Sequence, residues 1–320
     1  MSTPLVETVG LKKYFKTGGG MLHAVDNINL QIQKGKTLGV VGESGCGKST
    51  LGRTILRLLE ASEGQILFEG QDIRTYSRRQ MKRLRQEMQI IFQDPFSSLD
   101  PRMCVLDIIA EPILLSRTCS SKGQVYDRVY ELMDTVGLAE RLAYSYPHEL
   151  DGGRRQRIGV ARALALRPKF IVCDEPVSAL DVSIQAQILN LLMDLQQDMG
   201  LTYMFITHDL SVVKHISDEI AVMYLGQCVE KAPTKSLFQQ PTHPYTQALL
   251  SAILKPNLKN RGKARNIIRG EVTSPIDPMP GCRFAPRCPH CCEECTGHEI
   301  PLRDIGGGHL VACVLAESDK

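Results

Sequence analysis

Residues 37–60, TLGVVGESGCGKSTLGRTILRLLE, run from a short apolar strand through a glycine-rich loop into a segment with apolar residues at helical spacing, Leu51, Ile55, Leu58 and Leu59. The loop itself, Gly42-Glu43-Ser44-Gly45-Cys46-Gly47-Lys48-Ser49, is a complete GxxxxGK[ST] sequence. Its glycines let successive backbone N–H groups converge on phosphate oxygens, and the positive end of the following helix adds to the attraction. On this reading residues Gly42 to Thr50 cradle a nucleoside triphosphate. Lys48 bridges the β- and γ-phosphates and the Ser49 hydroxyl ligates Mg²⁺. A chance glycine loop would not need a strand before it and a helix after it.

Working outward, residues 24–41 read as a strand, a Lys-Gly turn and the apolar strand that feeds the loop. Residues 66–69 look like a strand, 77–88 a basic helix and 88–92 (MQIIF) a buried strand. From about 94 to 165 strand signals nearly vanish and helical periodicity takes over, which predicts a helical subdomain. Strand character returns at FIVCD (170–174) and LTYMFITHD (201–209), separated by a helix over 183–198, and a hairpin-like piece EIAVMYLGQCVEKA follows. Strands alternating with helices imply a parallel sheet, hence an α/β fold. The stretch 255–269 holds six basic and no acidic residues and reads as a linker. These features predict a nucleotide-binding domain over 1–254 and a cysteine-rich extension over 255–320.

The chain has 320 residues, 43% hydrophobic and 23% charged, and a net charge of +3. These values exclude a disordered or fibrous chain and are too balanced to imply nucleic-acid binding from global charge. The basic run Arg74, Arg78, Arg79, Lys82, Arg83, Arg85 lacks interleaved aromatics, so a solvated helix face is the better reading. No apolar stretch approaches 18 residues, and the N-terminus lacks the apolar core of a signal peptide, so the expected compartment is the cytosol. Six of the eleven cysteines fall between Cys282 and Cys313. Without an export signal, that clustering favours a metal site or reduced thiols over disulfides.

The second half of a triphosphate site needs carboxylates at a strand end, and FIVC-Asp174-Glu175 supplies them. Asp174 can hold Mg²⁺, and Glu175 sits where a base could polarise an attacking water. With these residues in place the order GESGCGKST, IIFQDP, ELDGGRRQR, FIVCDEP, SALD, ITHDL closely resembles the nucleotide-binding subunit of ATP-binding cassette (ABC) transporters over roughly residues 5–254. The resemblance implies a P-loop ATPase of the ABC type. By its pattern Gln93 contacts Mg²⁺ and the attacking water and links the ATP site to membrane subunits. Glu175 is the catalytic glutamate, Asp181 communicates across an ATPase dimer, and His208 is the switch histidine near the γ-phosphate. An aromatic from the N-terminal strand stacks on adenine; Tyr14 and Phe15 are the candidates, and the family's L-x-K-x-aromatic pattern favours Phe15.

The signature loop departs from the family's LSGGQ. Here it reads Leu150-Asp151-Gly152-Gly153-Arg154. Ser and Asp are equivalent as helix caps, so local structure should survive. In the family this loop grips the γ-phosphate of ATP on the opposite subunit. A carboxylate about 4 Å from one phosphate charge costs roughly 4 kcal/mol at an effective dielectric of 20, and Arg154 offsets part of that. The altered signature beside intact own-site motifs predicts a heterodimer with one weaker or regulatory site.

FQDPFSSLDPRM (92–103), PTHPYTQALLSAI (241–253) and the tail GEVTSPIDPMPGCRFAPRCPHCCEEC (270–295) are similar to ATPase subunits of the oligopeptide, dipeptide and nickel uptake branch. That resemblance implies an ATP hydrolase that energises peptide import. It would lie peripherally on the cytoplasmic side of the cell membrane, with two transmembrane permease subunits, an extracytoplasmic substrate-binding protein and no nucleic-acid partner. Uptake of nickel or a metal chelate, or a soluble ABC ATPase outside transport, are the alternatives. In the branch, Cys282, Cys288, Cys295 and Cys313 match a four-cysteine pattern associated with a [4Fe-4S] cluster. Cys291 and Cys292 create overlapping C-x2-C pairs (288/291 and 292/295), which also suit structural Zn²⁺; an unmetallated reduced tail is the third possibility.

Overall fold

The computed structural model describes residues 3–94, 96–252 and 274–316. The 255–269 linker of the sequence reading, and the 254/255 boundary with it, lie outside the described residues. Packing groups the described residues into two compact units, one drawn from 1–5, 33–36 and 75–206 and the other from 6–32, 37–74 and 207–320.

In the first unit, β6 (Met88–Ile91), β7 (Phe170–Asp174) and β8 (Thr202–Ile206) form a parallel ladder in that order. Every residue of β7 and β8 is buried, as expected of apolar runs covered on both faces. Among the described residues of 92–169 there is no strand. Instead α3 (Val105–Ser116), α4 (Lys122–Thr135) and α5 (Gly152–Leu164) pack on one another. This is the expected helical segment. Val105, Ile109, Val129, Leu132 and Ile158 supply its core, each at most 1% exposed. Helix α2 (Arg78–Glu87) starts in a capping box in which Ser77 and Gln80 satisfy each other's free backbone amides. Helix α6 (Val182–Met199) ends at Gly200 in the left-handed conformation.

The second unit holds two sheets. One is antiparallel, in the order β2 (Gly20–Ile32), β1 (Val6–Thr17), β4 (Glu63–Phe68), β5 (Gln71–Asp72). In the other, β3 (Thr37–Val41) pairs in parallel with β9 (Glu219–Tyr224), and β9 pairs antiparallel with β10 (Gln227–Pro233). Beyond β10, β12 (Leu310–Val311) and β11 (Arg303–Asp304) close the edge. Helix α1 (Lys48–Ile55) packs on β1 and β2, and α7 (Leu210–Ile216) packs on β3. A cluster of Val41, Val222, Tyr224, Leu237, Tyr245 and Phe284 draws together β3, β9, α8 (Thr234–Gln239), α9 (Pro244–Ser251) and the cysteine-bearing tail.

Helix α1 is shorter than the periodicity through Glu60 suggests. Arg57 takes a left-handed φ of 51°, and the amides of Leu58 and Leu59 both turn back to the Arg53 carbonyl. The apolar spacing therefore continues through a turn rather than a helix.

Candidate functional site

The phosphate loop is built where β3 ends and α1 begins. Gly47 is the N-cap of α1 with φ 102°, and a Cβ there would lie 1.9 Å from the Ala24 carbonyl oxygen. Only glycine gives both the left-handed turn and that approach to β2. Lys48 is 5% exposed, and its Nζ donates to the carbonyls of Gly42 and Glu43 at 2.9 Å each. Its charge is thus aimed across the loop rather than into solvent. Cys46 is buried, and burial pushes its thiol pKa up, so it is a small apolar filler and not a nucleophile. The switch segment hangs in the same unit: the Thr207 amide donates to the Val40 carbonyl, His208 follows, and the Asp209 carboxylate caps α7 through the Ser211 amide at 2.7 Å.

In the other unit Asp174 is fully buried at the end of β7. Glu175 follows with φ 47°, and its amide donates to the Ile206 carbonyl at 2.9 Å. A non-glycine residue held left-handed is strained and costs of order 1 kcal/mol, which marks a position kept for its geometry. Gln93 donates from Nε2 to Glu175 Oε2 at 2.8 Å. Two residues 82 apart in sequence and expected to serve one water are therefore in contact.

Asp151 caps α5, accepting from the Arg154 amide at 2.8 Å, while the Arg154 guanidinium lies 3.5 Å from the same carboxylate. The altered signature thus keeps the cap and places the expected counter-charge on it. Gly153 is required by close approach: a Cβ would come within 2.7 Å of Ile184 Cγ2 on α6. Gly152 likewise faces Leu180, and Asp181 is the exposed N-cap of α6.

The two aromatic candidates on β1 differ. Tyr14 stacks on His23, ring centroids 3.9 Å apart, and its hydroxyl donates to Asp26. Burial, then the Asp26 contact, raises its pKa well above the phenol range. Phe15 lies beneath Lys13 Nζ at 4.8 Å and has no polar atom to satisfy.

Residues 25–178 match the family description "ABC transporter", and residues 229–295 match "Oligopeptide/dipeptide transporter, C-terminal region". Among curated relatives, the dipeptide transport ATP-binding protein DppF of Escherichia coli is 46% identical, with 100% of this chain and 97% of that protein covered. The oligopeptide transport ATP-binding protein OppF of Bacillus subtilis is 48% identical, with 99% and 98% covered. The chain belongs to the ABC transporter family. A solved neighbour, the dimeric ATP-binding cassette MJ0796 in a post-hydrolysis state bound to ADP and Pi, shares 28% identity at a TM-score of 0.66, covering 72% of this chain and 98% of that one.

This ABC ATPase is an ATP hydrolase, with ATP and Mg²⁺ as its cofactors. No helix among its described residues is long and apolar enough to cross a membrane. Its tail brings Cys282, Cys288, Cys295 and Cys313 to the lining of one narrow cavity, whose other walls include Ala285, Ile300 and Leu315. Cys291 and Cys292 are exposed and do not line it. No three His, Cys, Asp or Glu side chains among the described residues converge closely enough to share an ion as they stand. The donor chemistry and the apolar walls nevertheless suit a thiolate-bound group.

The sequence reading gives His243 no role beyond its place in the PTHPYTQALLSAI segment. Its Nδ1 accepts from the Tyr245 amide at 3.1 Å, capping α9, and its Nε2 lies 4.0 Å from Cys282 Sγ. Burial lowers its pKa to about 4, against the opposing pull of Glu230, so the ring is neutral. Glu230 itself is fully enclosed and accepts from the amides of Thr242 and His243 at 2.8 and 3.0 Å and from the His309 ring at 2.6 Å. The PTHPYT motif and the cysteine tail are thus one packed structure. The spacing of neither segment alone signals it.

Proposed function

We propose that this chain energises an ABC importer for peptides, dipeptides or oligopeptides, from the cytoplasmic face of the cell membrane. The observation that carries the reading is the near-complete alignment to DppF and OppF together with the match over 229–295, because the phosphate loop alone is common to all ABC ATPases. Residues 1–254 form the ATPase domain, with its helical subdomain at about 94–165, and 255–320 the extension. Residues Gly42 to Thr50 hold the triphosphate and Phe15 stacks on adenine, free of the polar commitments of Tyr14. Ser49, Asp174 and Gln93 hold Mg²⁺. Glu175 takes the proton of the attacking water, Gln93 orients both, and His208 contacts the γ-phosphate.

The partners are a second, different ATPase subunit, two transmembrane permease subunits and an extracytoplasmic binding protein. Asp151 to Arg154 and Asp181 face the second subunit, and the acidic signature makes one of the two ATP sites weaker. ATP binding draws the two subunits together and hydrolysis parts them. The complex in lipid with its binding protein should raise its ATPase rate on titration with di- and oligopeptides and not with nickel or metal chelates. Stimulation by nickel alone would assign metal uptake instead.

The tail reads best as holding a [4Fe-4S] cluster on Cys282, Cys288, Cys295 and Cys313. What favours the four-cysteine set is that Cys282, Cys288, Cys295 and Cys313 share the lining of one cavity, whereas Cys291 and Cys292, which the overlapping C-x2-C pairs require, are exposed and outside that lining, Cys292 Sγ lying 3.5 Å from Cys295 Sγ. Such a cluster would tie the tail together through four Fe–S bonds. Anaerobic protein should contain about four irons and broad visible absorption, and Cys295→Ser should lose most of both, whereas Cys291→Ser should lose neither. Stoichiometric zinc without iron in anaerobic protein would overturn the assignment.

A further inference from the structure

Between Cys282 and Cys288 the tail carries two arginines that face inward. Arg287 is 7% exposed at its side chain and reaches the phosphate loop: its Nη1 donates to Glu43 Oε2 at 3.0 Å and to the Tyr224 hydroxyl at 3.1 Å, and both terminal nitrogens approach Glu43 Oε1 at 3.4 Å. The Glu43 amide is separately held by the buried Tyr245 hydroxyl at 2.9 Å. Glu43 is therefore fixed at both its backbone and its carboxylate. Phe284, 1% exposed, anchors the segment between the two arginines by packing edge-on to Tyr224 with centroids 5.3 Å apart.

Arg283 is 5% exposed at its side chain and donates to the Leu225 carbonyl and to Asp26. Leu225 and Gly226 form the turn between β9 and β10, and the Gly226 amide donates to the Cys46 carbonyl at 2.8 Å. Asp26 in turn donates its amide to the Gly226 carbonyl at 2.8 Å. The second arginine thus reaches the phosphate loop one step removed, through the turn it braces.

A carboxylate beside a triphosphate cradle opposes the charge the cradle must attract. Glu43 occupies such a position, and a mostly buried guanidinium that meets both its oxygens is the geometry that cancels it with little screening. We propose that Arg283 and Arg287 are positioning residues for ATP, by which the C-terminal cysteine segment holds the phosphate loop in its binding shape and neutralises Glu43. The inference rests on the reading of residues 42–50 as the ATP loop. Neither arginine touches the nucleotide; each acts through Glu43 or through the 225–226 turn.

The test is titration of the full chain with a fluorescent ATP analogue and Mg²⁺, together with steady-state ATPase kinetics of the assembled complex. Arg287→Ala should weaken nucleotide binding about tenfold, equivalent to ~1.4 kcal/mol, and raise KM far more than it lowers kcat. Arg287→Lys, which keeps the charge and loses the fork, should fall between the two and serves if the alanine variant does not fold. In a double-mutant cycle with Glu43→Ala the effects should be strongly non-additive. A lower yield of active protein with unchanged nucleotide affinity would show a merely structural role and overturn the proposal, as would strict additivity with Glu43→Ala. Wild-type chain that fails to bind the analogue would sink the ATP reading itself; wild-type binding with equal binding by both Arg287 variants would sink the inference alone.

Discussion

Glu175→Gln is expected to cut ATP turnover by about a hundredfold or more while ATP binding stays within about twofold. The size follows from the role: a positioned general base contributes roughly 10²–10⁴-fold, or about 3–5 kcal/mol of barrier. Glutamine fills the same volume, so the loss should be one of proton acceptance and not of shape. The backbone argument points the same way. Glu175 holds a left-handed φ of 47°, and its backbone amide donates a hydrogen bond to the Ile206 carbonyl; a same-sized side chain leaves both in place. Gln93 donates from Nε2 to this carboxylate, and the oxygen that glutamine retains can still accept that bond, so the contact between the two residues can persist in the variant. Single-turnover phosphate release and analogue binding on the same preparation separate the two effects. A variant that keeps more than about a tenth of wild-type turnover would remove Glu175 from the role of base. In the assembled complex the matching substitution in the second ATPase subunit should cost clearly less; equal losses would rule out unequal sites.

Lys48→Ala is expected to weaken ATP binding by about a hundredfold or more, roughly 3 kcal/mol, with the fold retained. Lys48 is 5% exposed, and its ammonium meets the two carbonyls of Gly42 and Glu43. Enclosing a charge costs free energy, and carbonyl dipoles repay it only in part. Removing the ammonium therefore costs the ligand-free protein little and the nucleotide complex a great deal. Thermal unfolding shows both in one experiment. The melting temperature without nucleotide should change little, whereas the rise on adding Mg-ATP, present in wild type through mass action, should disappear. A variant that still shows the full rise would detach this lysine from the phosphates.

Much of this was legible in the sequence because the relevant residues are close together and chemically narrow. The strand, loop and helix over 37–55 occupy their expected places, as do the buried strands 170–174 and 202–206, whose unbroken apolar runs admit few other environments. The strand-free stretch before β7 was legible for the same reason: helical periodicity recurs over whole turns. What escaped reading is long-range or unsigned by residue type. The left-handed backbone of Glu175 has no glycine to announce it. β11 and β12 are two residues each, too short to show a period. Nothing in residue type sets Arg283 and Arg287 apart from the chain's other arginines, and their burial beside Phe284 emerges only in the folded structure. His243 is similar: Pro244 marks a helix start, but nothing local reveals the cysteine on its far side.

Glu230 shows how closely the cysteine-bearing tail is joined to the strand and loop that precede it. A single enclosed carboxyl group is shared among a strand, the loop before α9 and a histidine only a few residues from the last one described, so shedding the tail would strip it of one of its three partners. Loss of the tail would therefore be felt in the strand that carries Glu230 as well as in the cysteine segment itself.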